Sequence, residues 1–234
     1  MEFGQELIEG RLLRRYKRFL ADVELPGGEV VTAHTPNTGS MRGCAEPGSR
    51  VWLSRAANPR RKYPYSWGLV EVVPGTLVGI DTGLPGRLVR EAIDTGVVEA
   101  LQGYHTVRPE VRYGREGSRI DLLLEGGGRP CYLEIKNVTL VEGETALFPD
   151  AVTARGTRHL RELMGVARAG QRAVIFFCIQ RDDVRELRPA DAIDPEYGRT
   201  LRAALAAGVE AMAYAARVST RGVTLYRPVP VVVE

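Results

Sequence analysis

The first third of the chain alternates short apolar runs with turn residues. The stretch FLADVELPGGEVVTAHT, residues 19–35, holds two strand-like runs around a Pro-Gly-Gly turn, which is a hairpin signal. RVWLSRA, residues 50–56, and SWGLVEVV, residues 66–73, are further strand-like runs, and we see no convincing helix between them. Several short strands in such a segment are typical of a small barrel, and we predict one of the OB type.

A segment rich in Gly and Pro, residues 74–86, separates this part of the chain from one with a different pattern. We therefore predict an N-terminal OB-like barrel over residues 1–82 and a second domain over residues 83–234. Apolar residues recur at helical spacing over 87–101, although Gly96 weakens that pattern.

The rest of the second domain mixes strand-like and helical patterns. Asp150 is placed to cap a helix over 151–169, and the run AVIFFCIQ, residues 173–180, is continuously apolar, as central strands are. The other predicted elements are a strand over 104–113, two strands within 118–139, a helix over 197–208 and strands over 209–219 and 223–229. This order indicates an α/β domain with a mixed sheet.

Composition narrows the class of protein. Of the 234 residues, 44% are hydrophobic and 26% are charged, which is typical of a soluble globular protein. No stretch approaches the roughly 20 apolar residues of a membrane span, and the N-terminus has no apolar signal core, so we expect a cytoplasmic protein. The three cysteines are far apart and form no CxxC pair, so we expect reduced, mostly buried thiols.

The net charge is only +3, but the basic residues are clustered. No acid occurs between Pro47 and Val70, and this window combines cations with aromatic residues. Within it, we predict that Arg60, Arg61, Lys62 and Tyr63 form an exposed nucleic-acid-binding loop, because cations bind phosphates and aromatic rings stack on bases. The tryptophans of the window are alternatively part of the barrel core.

Charged residues interrupt the two apolar runs within 118–139. Side chains alternate along a strand, so Glu134 and Lys136 share a face, and pairing of the two strands brings Asp121 to them. Adjacent carboxylates repel, and a divalent cation such as Mg²⁺ removes that repulsion. Asp121 and Glu134 are therefore candidate metal ligands and Lys136 a candidate catalytic residue for phosphodiester hydrolysis. The alternative is a charged pair on an exposed edge strand.

Several longer blocks resemble one protein family. SRIDLLL, CYLEIKNVTL and FPDAVTARGTRHLREL, together with AHTPNTGSMRG, PGSRVWLS and NPRRKYPYSW, are similar to blocks of the sugar fermentation stimulation protein family, SfsA. The resemblance implies an OB-like barrel followed by a domain of the PD-(D/E)xK nuclease fold. It also implies DNA binding and a link to the regulation of sugar utilisation genes in bacteria.

The resemblance also implies roles for single residues. Asp121 matches the motif Asp of the family, Glu134 the second acid and Lys136 the lysine. A helix acid often completes such sites in the wider nuclease fold, and Glu91 is our candidate, with Glu99 as the alternative.

Two further segments have a functional and a structural interpretation. Arg155, Arg158, His159 and Glu162 form a polar stripe on the helix after the motif, which either contacts phosphate or is only a solvated face. The loop PNTGSMRG, residues 36–43, is either a simple turn or a nest of backbone amides that receives a phosphate.

Together these patterns predict a DNA-binding protein, without strong sequence preference, that carries a nuclease site dependent on Mg²⁺ or Mn²⁺. The alternatives are a DNA-binding regulator of sugar metabolism genes without turnover, and a nuclease that acts on RNA. No membrane contact is expected, and the sequence does not determine the oligomeric state.

Overall fold

The N-terminal part of the chain folds into a closed β-barrel. The computed structural model describes residues 1–58, 60–114 and 117–234. The strands of this part are β1 (Ile8–Tyr16), β2 (Leu20–Glu24), β3 (Val30–His34), β4 (Arg50–Arg55), β5 (Tyr65–Val73) and β6 (Thr76–Gly79). Antiparallel pairs join β1 to β2 and β4, β2 to β3, and β4 to β5. A parallel pairing of β3 with β5 closes the ring, as predicted for an OB-type barrel.

The barrel forms where the sequence alternates. In β2 and β3, Ala21, Val23, Val31 and Ala33 point inward and are buried, while the residues between them are partly exposed. The turn at 26–28 uses two glycines with φ of 114° and 87°, a region that side chains disfavour. Burial of these small residues fills the inside of the ring.

The second domain is built on a mixed sheet with helices on both faces. Its helices are α1 (Pro85–Asp94), α2 (Ala154–Arg168) and α3 (Pro195–Ala206). Its strands are β7 (Thr106–Tyr113), β8 (Ser118–Glu125), β9 (Cys131–Val138), β10 (Val141–Glu142), β11 (Thr145–Phe148), β12 (Arg172–Ile179), β13 (Glu186–Pro189), β14 (Glu210–Ser219) and β15 (Gly222–Pro228). The main sheet has the order β15-β14-β12-β9-β8-β7, with β12 parallel to β9 and β14.

The continuous apolar run of β12 lies at the centre of this sheet. Phe176 belongs to the core under α1, whereas its neighbour Phe177 belongs to the core under α2 and α3, and both side chains are fully buried. Both faces of the strand are thus covered, which explains why its sequence shows no alternation. The predicted α/β domain with a mixed sheet is confirmed.

Two predictions of local structure are wrong, and one element was missed. The helix predicted over 87–101 ends at Asp94, because Gly96 adopts a φ of 80°, and only a short 3₁₀ turn, Glu99–Leu101, follows. Asp150 does not cap α2; Thr153 does, and its hydroxyl accepts a hydrogen bond from the backbone N–H of Gly156 at 3.0 Å. The small sheet β10-β11-β13 was not predicted.

The expectation of reduced, buried thiols is confirmed. Cys44, Cys131 and Cys178 are free and buried. None of the helices within residues 1–58, 60–114 and 117–234 is long and apolar enough to cross a membrane.

The barrel and the second domain share apolar and polar contacts. Trp52 and Leu69 of the barrel belong to the same buried cluster as Leu88 of α1. Gln180, which follows β12, accepts a backbone hydrogen bond from Gly79 at 2.9 Å, and its side-chain amide donates to the Asp81 carbonyl at 3.0 Å. The barrel is therefore packed against the face of the sheet that carries α1.

Candidate active site

The candidate site lies where β8 and β9 separate. The two strands pair through Leu122–Leu133, and Asp121 and Glu134 stand one register step beyond this last pair. At that step the Ile135 N–H donates a hydrogen bond of 2.6 Å to Oδ2 of Asp121. A carboxylate has thus replaced a backbone carbonyl as the acceptor. This hydrogen bond holds the Asp121 side chain at the point where β8 and β9 separate, which we call the fork.

Glu134 lies almost fully buried beside Asp121, with 3% of its surface exposed. Its Oε1 accepts a hydrogen bond of 2.7 Å from Nζ of Lys136 and contacts Nδ1 of His159 on α2. Its Oε2 is buried and has no hydrogen-bond partner among the described residues. One oxygen of this carboxylate is therefore fully engaged, whereas the other lacks the partner that a buried charge requires.

His159 connects α2 to this carboxylate. Nε of Arg155 donates to Nε2 of His159 at 3.3 Å, so Nε2 is the acceptor and Nδ1 carries the ring proton. His159 then donates through Nδ1 to Glu134. His159 therefore fixes the Glu134 side chain from the helix side, while Lys136 holds it from its own strand.

The pKa values of the two carboxyl groups are shifted in opposite directions. Burial and the neighbouring charge of Glu134 raise the pKa of Asp121 to about 6, against the opposing hydrogen bond from Ile135 and the charge of Lys136. Burial alone would raise the pKa of Glu134, but the contacts with His159 and Lys136 outweigh it and hold that pKa below its ordinary value. Carboxyl groups with separated pKa values in one site are a feature of catalytic pairs.

The candidate helix acid lies beside Asp121, in an ion pair with the N-terminus. Glu91 of α1 forms an ion pair of 2.7 Å with the ammonium group of Met1, and it shares a cavity of about 530 Å³ with Asp121. The alternative, Glu99, is exposed on the 3₁₀ turn. Among the described residues, no group of three or more His, Cys, Asp or Glu side chains is arranged to hold a metal ion.

A second acid near Asp121 was missed by sequence reasoning. Glu110 in β7 has a φ of 55°, and it stands opposite Asp121 at a step where the β7–β8 ladder is interrupted. Its charge further raises the pKa of Asp121. The signal that could have found this irregularity is Pro109, directly before Glu110, because proline within a strand is confined to edges and bulges.

The basic loop of the barrel is exposed. Arg60, Arg61 and Lys62 face solvent and Tyr63 is partly exposed, with Nζ of Lys62 5.5 Å from the centre of the Tyr63 ring. Trp52 is 5% exposed and belongs to the core, which agrees with the alternative interpretation of the tryptophans. In this window, a tyrosine ring rather than Trp52 is therefore available to stack on bases.

The polar stripe of α2 separates into exposed and buried members. Arg155 and Arg158 are exposed, whereas His159 and Glu162 are 3% and 9% exposed. His159 was predicted with the phosphate-contacting residues, but the structure places it beneath them, against Glu134. The helix is rotated so that the stripe straddles the boundary between its buried and solvated faces.

The loop over 36–43 does form a nest of donors, and a carboxylate of the chain occupies it. Oδ2 of Asp150 accepts hydrogen bonds from the backbone N–H of Ser40 at 3.1 Å, the Ser40 hydroxyl at 2.8 Å and the backbone N–H of Met41 at 3.3 Å. Arg15 holds the loop from behind by donating to the carbonyls of Asn37 and Ser40, among others. This nest joins the barrel to the segment before α2.

Comparisons with known proteins cover nearly the whole chain. The family model described as "SfsA N-terminal OB domain" matches residues 13–80, and that described as "Sugar fermentation stimulation protein RE domain" matches residues 83–222. A sugar fermentation stimulation protein homolog of Pelobacter propionicus is 63% identical over 226 residues, which is 97% of each chain. A homolog of Geobacter metallireducens is 60% identical over 232 residues, covering 99% of this chain and 100% of the relative.

A solved structure also matches. SfsA of Pyrococcus furiosus, determined in complex with Ca²⁺, has a TM-score of 0.89 and 31% sequence identity to this chain, and the match covers 99% of this chain and 98% of that one.

Proposed function

The chain belongs to the sugar fermentation stimulation protein (SfsA) family, and we propose that it hydrolyses phosphodiester bonds of DNA with the help of Mg²⁺ or Mn²⁺. The observation that carries this proposal is the fork between β8 and β9. There Asp121, Glu134 and Lys136 converge, with one buried carboxylate oxygen that has no partner among the described residues.

The residues present fit a divalent cation. Mg²⁺ is usually held by one or two carboxylates plus waters, so Asp121 and Glu134 suffice without a third acid. Lys136 pairs with Oε1 of Glu134, but Oε2 of Glu134 has no partner among the described residues, and burial and the charge of Glu134 raise the pKa of Asp121, so a further cation would stabilise the pair. The relative from Pyrococcus furiosus was solved with Ca²⁺, another cation that prefers oxygen ligands. When bound, such an ion supplies Lewis-acid stabilisation of phosphate charge.

The other residues of the site position these groups. The Ile135 N–H orients Asp121, and His159 occupies Oε1 of Glu134, so that Oε2 is left to face a ligand. Lys136 lies beside the acids but has no lone pair for a metal when charged, so its role is to stabilise negative charge that develops on the phosphate. His159 is thus a positioning residue in this proposal.

The nucleic-acid surface would combine the barrel loop with α2. Arg60, Arg61 and Lys62 supply exposed cations on the OB domain, and Arg155 and Arg158 supply exposed cations beside the acid pair. Contacts of this kind recognise phosphates rather than bases, so we expect little sequence preference. RNA presents the same phosphates, and a parallel assay with RNA distinguishes the two substrates.

A cleavage assay tests the proposal. Wild-type protein with Mg²⁺ or Mn²⁺ should cleave single-stranded or duplex DNA, and Lys136→Ala should lower kcat by roughly 100-fold while metal binding is kept. Lys17→Ala, which removes an exposed lysine of the barrel, is the matched control and should leave kcat unchanged at saturating substrate. Absence of cleavage with DNA and RNA in either metal would overturn the enzymatic proposal.

A DNA-binding regulator without turnover is the second candidate function. It is favoured by the full engagement of Glu134 Oε1, which contacts both Lys136 and His159 as in a purely structural cluster. In that case Lys136→Ala and His159→Ala lower the free energy of unfolding, and no variant or wild type cleaves nucleic acid. Retained stability together with lost cleavage supports the enzyme instead.

A further inference from the structure

A groove between α2 and the sheet edge formed by β7 is not used by the proposed site. Its volume is about 790 Å³, and three arginines stand around it, Arg112 from β7 and Arg161 and Arg168 from α2. Among the described residues, the side chains of Arg112 and Arg168 form no ion pair or hydrogen bond, while Arg161 pairs with the exposed Glu196 at 2.8 Å. The groove therefore has two cations available for a ligand.

The acid that lines the groove lies on its floor. Of the described lining residues, Glu162 alone is acidic, and it is 9% exposed and packed against Gly114, where an added Cβ would lie 2.4 Å from Oε1. The exposed rim is thus positively charged, which favours an anionic ligand.

Helical geometry aligns two of the cations with the groove. Arg161 and Arg168 are seven residues apart, so they lie on one face of α2, about 10 Å apart along its axis. Gly165 lies between them on the same face, and a Cβ built there would meet nothing within 4 Å. A chain-like ligand can therefore approach the helix backbone between the two arginines, with Arg112 on the opposite wall.

The groove lies next to the strand that carries Glu134, because Tyr132, which lines it, is two residues from Glu134 on the same face of β9. Tyr113 lines its floor with 8% of its surface exposed, and the Tyr113 hydroxyl has no hydrogen-bond partner among the described residues. Burial and the charges of Glu134, Glu162 and Asp121 raise the pKa of Tyr113, so the hydroxyl keeps its proton and is a donor. A buried donor that lacks an acceptor is a site where a ligand oxygen would be stabilised.

We infer that this groove binds the sugar-phosphate backbone of the nucleic-acid strand beside the bond to be cleaved, with Arg112, Arg161 and Arg168 as phosphate contacts. The inference rests on the proposed function, because the acid pair defines which ligand reaches the groove. It adds a binding surface on the second domain that is separate from the barrel loop at 60–63.

Substitutions at Gly165 test the inference without loss of fold. Gly165→Glu places a negative charge between the arginines, and Gly165→Gln fills the same space without charge. Both replace glycine in an exposed helix position, so both should raise the thermal midpoint. Binding of a fluorescein-labelled 20-nucleotide single-stranded or duplex DNA, measured in EDTA, should fall at least 10-fold for Gly165→Glu and less for Gly165→Gln.

Arginine removal gives a second, quantitative readout. The double variant Arg112→Gln with Arg168→Gln should reduce the slope of log affinity against log salt by about 1.4 on single strands and 1.8 on duplex DNA. Arg221→Gln removes an exposed arginine beyond β14, at the other edge of the sheet, and should leave the slope unchanged.

The outcomes separate this inference from the proposed function. If wild type binds nucleic acid and every groove variant keeps the same affinity and salt slope, the groove is not a binding surface and this inference is overturned. The assignment of the acid pair is then unaffected. If wild type cleaves nucleic acid and the groove variants do not, while Mn²⁺ binding at the acid pair is unchanged, the groove is supported as a binding surface. Wild-type protein that binds no DNA or RNA would overturn both.

Discussion

Asp121 has the most unusual environment of the residues at the candidate site. It accepts a hydrogen bond from the Ile135 N–H, yet burial and Glu134 raise its pKa to about 6 in the metal-free protein. The unfolded chain binds this proton less tightly, since an aspartate there titrates near 3.9. The stability contributed by protonated Asp121 is therefore present below about pH 4 and is lost as the pH rises through about 6.

Replacement by asparagine tests this assignment. Asp121→Asn keeps an oxygen acceptor for the Ile135 N–H and removes the charge. In EDTA at about pH 7.5 the variant should exceed wild type in free energy of unfolding by on the order of 2 kcal/mol. Urea titrations should show that difference shrinking as the pH falls to about 4. A difference that is independent of pH would show that Asp121 titrates normally.

Sequence reasoning at the residue scale succeeded for side chains on regular strands. Alternation along β8 and β9 was enough to indicate that Asp121, Glu134 and Lys136 converge, and the structure brings them together. It did not place His159 against Glu134, because helical spacing leaves the rotation of α2 about its axis undetermined within one residue. Glu110 was missed because Pro109 before it was not interpreted as a strand irregularity.

At the scale of elements, length decided which structures were predictable. Strands β8, β9 and β12 each have eight residues. That is long enough to show whether apolar and polar residues alternate. Strands β10, β11 and β13 have only two to four residues, which are too few to carry a pattern. Asp150 has a typical capping side chain, but tertiary contacts draw it to the barrel instead.

The basic loop of the barrel is the element with the clearest electrostatic prediction. Arg60, Arg61 and Lys62 are exposed, and each phosphate contact on duplex DNA contributes about 0.9 to the log–log salt slope. Replacing all three by alanine should lower the slope by about 2 to 3. Fluorescence anisotropy at several salt concentrations measures it, and a slope equal to that of wild type would remove the loop from the binding surface.

At the scale of the whole molecule, Asp150 is one of the polar links between barrel and second domain. Its Oδ2 accepts three hydrogen bonds from Ser40 and Met41, and Asp150→Ala leaves those donors without this acceptor. We expect a loss of about 1–3 kcal/mol in the free energy of unfolding, measured with urea. Asp182→Ala, at an exposed acid, is the control, and an equal effect of both changes would refute the link.

Folding of the whole chain should not require metal. Three extended buried clusters, one in the barrel and the others under α1 and under α2 and α3, supply the apolar burial that zinc-dependent small domains lack. EDTA should therefore leave the thermal midpoint within a few degrees of its original value, whereas saturating Mg²⁺ should raise it slightly by mass action. Unfolding on chelation would show that a metal is structural.

The most direct test of the central claim is calorimetric titration of the purified protein with Mn²⁺. Wild type should bind a single ion per chain, Asp121→Asn and Glu134→Gln should bind none, and Lys136→Ala should bind as wild type does. All four proteins should keep cooperative thermal unfolding. Wild type without Mn²⁺ binding, or binding that survives both acid substitutions, would contradict the assignment of Asp121 and Glu134 as a metal site.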